Sequence, residues 1–146
     1  MNTRRLLLGV SVVGLTVGLS AAQSVKQLPP PSDLKAPPAK AVKTSFVISS
    51  VVIKPGTGKV RPGPTDTVTV NYTGWTQDGS TFDTTSGAEP ATFQLNEVIT
   101  GWTEGLQLMV EGETRRFWIP EQLAYRGRRA PFGTLVFDIE LISITR

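Results

Sequence analysis

Two tyrosines, one aspartate and a set of dispersed aromatic residues carry most of the chemistry open to this chain. Tyr72 and Tyr125 bring hydroxyls that need a hydrogen-bond partner when buried. Asp83 directly follows Phe82, so an acid stands next to an expected core residue. A buried carboxylate beside tyrosine hydroxyls fits the wall of a binding pocket better than a plain core, because burying a charge without hydrogen bonds is costly. Phe82, Phe93, Trp102 and Phe137 lie on separate segments and can converge on the same place. Taken singly, each of these rings is ordinary core material. What the chain lacks narrows the chemistry further. Its 146 residues include no His and no Cys. That excludes a Ser–His triad, an imidazole proton shuttle, a thiol nucleophile, a disulfide framework and a His- or Cys-ligated zinc. No cofactor is implied and no metal site can be built. Any activity must rest on carboxylates, hydroxyls, Lys and Arg, or on a pocket that forms no bond to its substrate.

The elements that must position these groups follow a mostly period-two pattern. Residues 66–75 alternate, with Val68, Val70 and Tyr72 on one face and Thr67, Thr69 and Asn71 on the other, as in a half-buried strand. Residues 134–144 behave alike: Leu135, Phe137, Ile139 and Leu141 face one side, Asp138 and Glu140 the other. Residues 114–119 form a third strand closed by Pro120, and 46–53 and 91–95 are shorter candidates. Pro55-Gly56, Pro62-Gly63-Pro64, Asp78-Gly79 and Glu111-Gly112 punctuate them as turns. The segment from about Gly101 to Met109 reads as a short helix, with Thr100 as its cap and Glu104 in its first turn. Trp102, Leu106 and Met109 fall on one helical face. One short helix against an antiparallel sheet gives an α+β domain.

The ends of the chain read differently. Arg4 and Arg5 precede an uncharged run from Leu6 to Leu19, and Ser20-Ala21-Ala22 follows. A basic start, apolar middle and small-residue end describe a secretory signal over residues 1–22, with export to the periplasm or outside the cell. An uncleaved membrane tether is the alternative. The arginine pair also loosely matches a twin-arginine signal. This leader carries two arginines and no acid, so the net charge of +3 falls to +1 without it. That balance does not favour nucleic-acid binding, which needs a clustered basic face. Residues 23–45 hold Pro29, Pro30, Pro31, Pro37, Pro38 and four lysines, with few large apolar side chains. They read as an extended linker holding the domain away from something, or as a frayed tail. Residues 46–146 then make one domain, large enough for a modest core without disulfides.

An ordered set of short motifs is similar to the FKBP-type peptidyl-prolyl cis-trans isomerases. It comprises Asn71-Tyr72-Thr73-Gly74, Asp78-Gly79, Thr81-Phe82-Asp83, residues 90–95, and Glu97-Val98-Ile99 with Gly101-Trp102. Gly105-Leu106, Met109 with Gly112, Ile119-Pro120, Leu123-Ala124-Tyr125 with Gly127, and residues 135–141 complete it. The resemblance runs from about Val52 to Ile144. It implies a bent antiparallel sheet of five to six strands wrapped round one short helix. It also implies a pocket with Trp102 as floor and Tyr72, Phe82, Phe93, Val98, Ile99, Tyr125 and Phe137 as walls. On this resemblance the Ile99 N–H and the Tyr125 hydroxyl donate to carbonyls of a bound peptide, and Asp83 accepts from Tyr72. The implied partners are proline-containing polypeptides and macrolide-type ligands. The implied reaction is rotation about X-Pro bonds, without covalent catalysis. The family has monomeric and dimeric members, and a monomer is expected here because the usual dimerising helical extension is absent from the sequence. A non-catalytic chaperone or adaptor that binds proline-containing segments is the alternative.

Three departures stand out. Residues 84–89 contain no Arg to pair with Asp83, where the family often has one. Ala91 replaces an aromatic common in the family. The loop after Tyr125 is short and holds Arg126, Arg128 and Arg129 in place of a longer apolar flap. Those arginines either favour an acidic substrate or simply form a solvated loop. Phe132 is the apolar residue available to fold inward in place of the flap.

Overall fold

The computed structural model describes residues 25–146, so the reading of residues 1–22 as a signal lies outside the described residues. The strands are β1 (Val42–Lys43), β2 (Ser49–Lys54), β3 (Thr67–Thr76), β4 (Thr81–Thr84), β5 (Ala91–Gln94), β6 (Thr114–Ile119) and β7 (Leu135–Thr145). They pair antiparallel in the order β1-β2-β6-β7-β3-β4, with β5 also paired to β3. One α-helix, α1 (Thr100–Leu106), crosses the inner face. The α+β class and the bent sheet match the sequence reading, with seven paired strands in place of five to six. The two strands that the pattern did not reveal, β1 and β4, are two and four residues long and too short to show an alternation.

Register shifts supply the bend. β3 changes register against β7 between Thr69 and Val70 and against β4 between Gly74 and Trp75. β2 changes register against β6 between Val52 and Lys54. Each shift inserts an unpaired residue, which kinks the strand and raises its twist. The concave face so formed carries Val68, Val70, Tyr72, Phe117, Ile119, Leu135, Phe137, Ile139 and Leu141, all buried. α1 packs into it. Gly101 and Gly105, four residues apart on one helix face, sit against Ile119 and Phe117 of β6. A side chain at Gly105 would place its Cβ 2.8 Å from the Phe117 ring. The two glycines therefore let the helix backbone approach the sheet closely.

The helix is shorter than the periodicity suggested. Ile99, not Thr100, is its N-cap, with no side-chain cap bond, and Glu104 lies in its second half. The Ile99 carbonyl accepts from the Trp102 and Thr103 N–H groups. The Thr103 hydroxyl donates to the Leu95 carbonyl and so anchors α1 to the turn before it. Beyond Leu106 the chain leaves α1 through turn-like bonds from Leu108 and Met109 to Gly105 and Leu106. Met109 is nonetheless fully buried with Trp102 and Leu106.

Residues 27–43 do not extend away from the domain. Leu28 to Leu34 run across the convex face of the sheet, and Val42–Lys43 joins its edge as β1. Leu34 is buried there with Trp75, Trp118 and Val136, and Leu28 and Val51 flank them. The Trp75 indole donates to the Leu28 carbonyl (3.1 Å) and the Trp118 indole to the Asp33 carbonyl (3.2 Å). Arg116 forks onto both Asp138 oxygens (2.6 and 2.8 Å) and reaches Asp33 (3.0 Å). Gln27 uses its side-chain amide as a strand would: it accepts from Thr81 N–H and donates to Thr81 C=O, 2.9 Å each, along the sheet-edge strand β4. The linker expectation fails because it counted only this segment's own apolar residues. Three outward apolar side chains on β3, β6 and β7 need a cover, and the segment supplies it.

Candidate functional site

The inner end of β3 delivers Tyr72, flanked by Val70 and Gly74 on the same face. Asp83 of β4 lies opposite Gly74 in register, and its carboxylate accepts from the Tyr72 hydroxyl at 2.8 Å. Phe82, next to Asp83 in the chain, would point to the other face of a regular strand. The β3–β4 register shift re-aims it, so that both residues serve the inner side. Phe82 then meets Phe137 edge to face, ring centroids 5.5 Å apart. Gly74 makes room for that pair: a Cβ there would lie 2.7 Å from Phe82 and 2.8 Å from Phe137.

Trp102, in the first turn of α1, is the hub. It makes edge-to-face contacts with Tyr72 (5.0 Å), Phe93 (5.5 Å) and Phe137 (5.5 Å). Tyr72 and Phe93 also touch, at 6.1 Å. Such pairs contribute about 0.5–1.5 kcal/mol each beyond area burial. Trp102 has no exposed surface, and its indole N–H is buried with no hydrogen-bond partner among the described residues. A buried unsatisfied donor is rare and costs about 1–3 kcal/mol. Ile99 is buried, and as N-cap residue its own N–H lies outside the helix ladder.

Tyr125 arrives from the opposite side, just after a 3-10 turn at Glu121–Leu123. Glu121 fixes the loop that follows. Its backbone carbonyl accepts from Arg126 N–H (2.9 Å) and its carboxylate from Gly133 N–H (2.9 Å). The Arg129 guanidinium stacks over the Tyr125 ring, 4.8 Å from its centroid. Burial pushes the Tyr125 hydroxyl well above its ordinary pKa; the Arg129 charge opposes that shift and the Asp83 charge adds to it. Tyr125 thus sits between an acid from β4 and a base from the loop. A surface cleft of about 350 Å³ opens beside it, lined by Val98, Ile99, Thr100, Ala124, Tyr125, Arg126, Arg128 and Arg129.

The structure therefore gathers all nine residues singled out from the sequence into one inner cluster: Tyr72, Phe82, Asp83, Phe93, Val98, Ile99, Trp102, Tyr125 and Phe137. Phe132 does not join them. It is 59% exposed, so it does not replace the missing flap. Arg129 is the residue that sequence reasoning placed at the rim and the structure draws onto a site ring. The spacing from Tyr125 to Arg129 hints at one loop turn returning to the tyrosine, but only the fold shows it.

Comparison with known proteins follows the same line. The family model described as FKBP-type peptidyl-prolyl cis-trans isomerase matches residues 58–142. The "Outer membrane protein MIP" of Legionella longbeachae is 50% identical over 101 residues, which is 65% of this chain and 43% of that protein. The FKBP-type isomerase FkpA of Aeromonas hydrophila is 48% identical over 100 residues, 65% of this chain and 37% of its own length. The crystal structure of FkpA from Escherichia coli superposes with a TM-score of 0.68 at 38% identity, covering 74% of this chain and 53% of that one. The chain thus spans less than half the length of the two curated relatives described here.

Proposed function

Since the chain belongs to the FKBP-type peptidyl-prolyl cis-trans isomerases, we propose that it accelerates rotation about X-Pro bonds in exported polypeptides, using the aromatic cluster around Trp102. The observation that carries this reading is Asp83, buried beside the Tyr72 hydroxyl at the edge of a cage of rings, in a chain with no His or Cys. Such a site binds and polarises without forming a bond. X-Pro rotation needs nothing more. It breaks amide resonance over a barrier of about 18–20 kcal/mol, and a thousandfold gain in rate needs only about 4 kcal/mol. The twisted amide separates less charge than the planar one, so an apolar enclosure favours it relative to the ground state.

Each residue then has a part. Phe82, Phe93, Trp102, Phe137 and Val98 enclose the prolyl ring. The Ile99 N–H and the Tyr125 hydroxyl hold the flanking carbonyls and so restrict the peptide to a half-turned geometry. The Tyr125 hydroxyl is a donor throughout the physiological range, and burial raises its pKa further. Asp83 fixes Tyr72, and its charge adds to the rise at Tyr125. The basic, apolar and small-residue succession over residues 1–22 supports export. So does the relative named as an outer membrane protein. Among the described residues no helix is long and apolar enough to cross a membrane.

The test is the isomerisation rate of short X-Pro peptides with the wild type, Asp83→Val and Tyr125→Phe. Fast isomerisation that falls at least tenfold in the Asp83 variant supports the reading. Wild-type rates no faster than buffer, from a folded protein, leave a non-catalytic binder of proline-containing segments.

A further inference from the structure

We infer that the cleft beside Tyr125 takes a carboxylate carried by a residue next to the substrate proline, so that this enzyme favours acidic sequences around its target bond. The inference rests on the isomerase reading above and names the substrate class of that site. Three arginines, Arg126, Arg128 and Arg129, line one side of the cleft, and Val98, Ile99 and Tyr125 line the side continuous with the aromatic cluster. No acidic residue lines it. Among the described residues Arg126 and Arg128 form no ion pair. The Glu121 carboxylate, which reaches this loop, is bonded to the Gly133 N–H.

The backbone adds a second observation. Arg126 holds a φ of 60°, a left-handed conformation that a residue with a side chain adopts only at a cost. Arg126 N–H to Glu121 C=O and Arg128 N–H to Tyr125 C=O, both 2.9 Å, hold the turn. Neither bond uses the Arg126 side chain, so the turn gives no reason for an arginine there. The turn fixes where the Arg126 and Arg128 side chains start, at the mouth of the cleft. Arg129, stacked on Tyr125 and hydrogen-bonded to it, is already engaged, so it adds positive charge to the cleft wall and leaves the direct pairing to Arg126 and Arg128. A peptide whose proline lies against the rings and whose carbonyl meets Ile99 or Tyr125 brings its neighbouring side chain within this cleft.

The experiment compares acetylated, amidated peptides Ala-X-Pro-Phe with X as Glu, Gln or Lys, and a matching series with the variable residue after proline. Fluorescence anisotropy reads binding, and isomerisation is followed in parallel. In at least one series Glu should bind about three- to tenfold tighter than Gln at low salt, with Lys weakest. Salt should erode that advantage. The double variant R126Q/R128Q should bring the Glu-to-Gln ratio close to one, while Lys59→Gln, outside the cleft, should preserve it. Equal binding of Glu and Gln peptides in both series overturns the inference, as does a preference that survives in R126Q/R128Q. A gain of the same size from a free C-terminal carboxylate on the Gln peptide overturns it as well and assigns the cleft to chain ends. Retained Glu preference with isomerisation no faster than buffer supports the cleft's chemistry and overturns the isomerase reading alone.

Discussion

Tyr125 shows how one buried hydroxyl ties stability to pH. Its pKa lies above the ordinary value near 10 in the folded state, with burial as the largest cause. Below pH 10 the group is protonated whether the chain is folded or not, so it adds no pH dependence. Above pH 10 the unfolded chain releases the proton and the folded one keeps it, so stability falls as pH rises. Thermal denaturation between pH 9 and about 11.5 should show this loss, and Tyr125→Phe should flatten it. Tyr72 makes a different prediction. Tyr72→Phe removes a buried bond to a carboxylate and should lower stability by about 2 kcal/mol in urea denaturation. That Asp83 needs a buried hydroxyl partner was legible from an acid beside a core phenylalanine, but that Tyr72 and not Tyr125 donates to it came from the family resemblance alone. The direction of Phe82 was not legible. Plain alternation puts Phe82 and Asp83 on opposite faces, and the register shift that reunites them follows from no residue type in β4.

At the level of elements, two close approaches set the architecture. α1 rests on β6 through Gly101 and Gly105. Gly101→Ala should cost about 1–3 kcal/mol, because Ile119, fixed in the core, must move to admit the methyl group. The second approach is the N-terminal segment on the convex face. Leu34→Ala should cost at least about 2 kcal/mol, read by urea denaturation. β3 and β7 were legible because their inner positions recur every second residue, Val68, Val70 and Tyr72 on one and Leu135, Phe137, Ile139 and Leu141 on the other. The cover on the other face was not. Trp75, Trp118 and Val136 interrupt the outward polar positions of three strands that become neighbours in the sheet. That adjacency belongs to the topology, since β6 and β7 are distant from β3 along the chain.

Residues 25–146 are thus a helix, a sheet and a strap, with the aromatic cluster on one face of the sheet and a structural seam on the other. Deleting residues 25–41 should lower both the unfolding free energy and the urea m-value, because less surface is buried on folding. Peptide isomerisation should persist in the folded fraction, since the strap lies opposite the aromatic cluster. The placement of β7 has a consequence for how the protein is made. This C-terminal strand runs down the middle of the sheet, between β3 and β6, and its Val136 forms part of the seat for Leu34. Along the chain the strap comes before its seat, so Leu34 and the facing edges of β3 and β6 stay uncovered until β7 has been made. Both faces of the sheet therefore close together, in a late step that joins segments far apart in sequence.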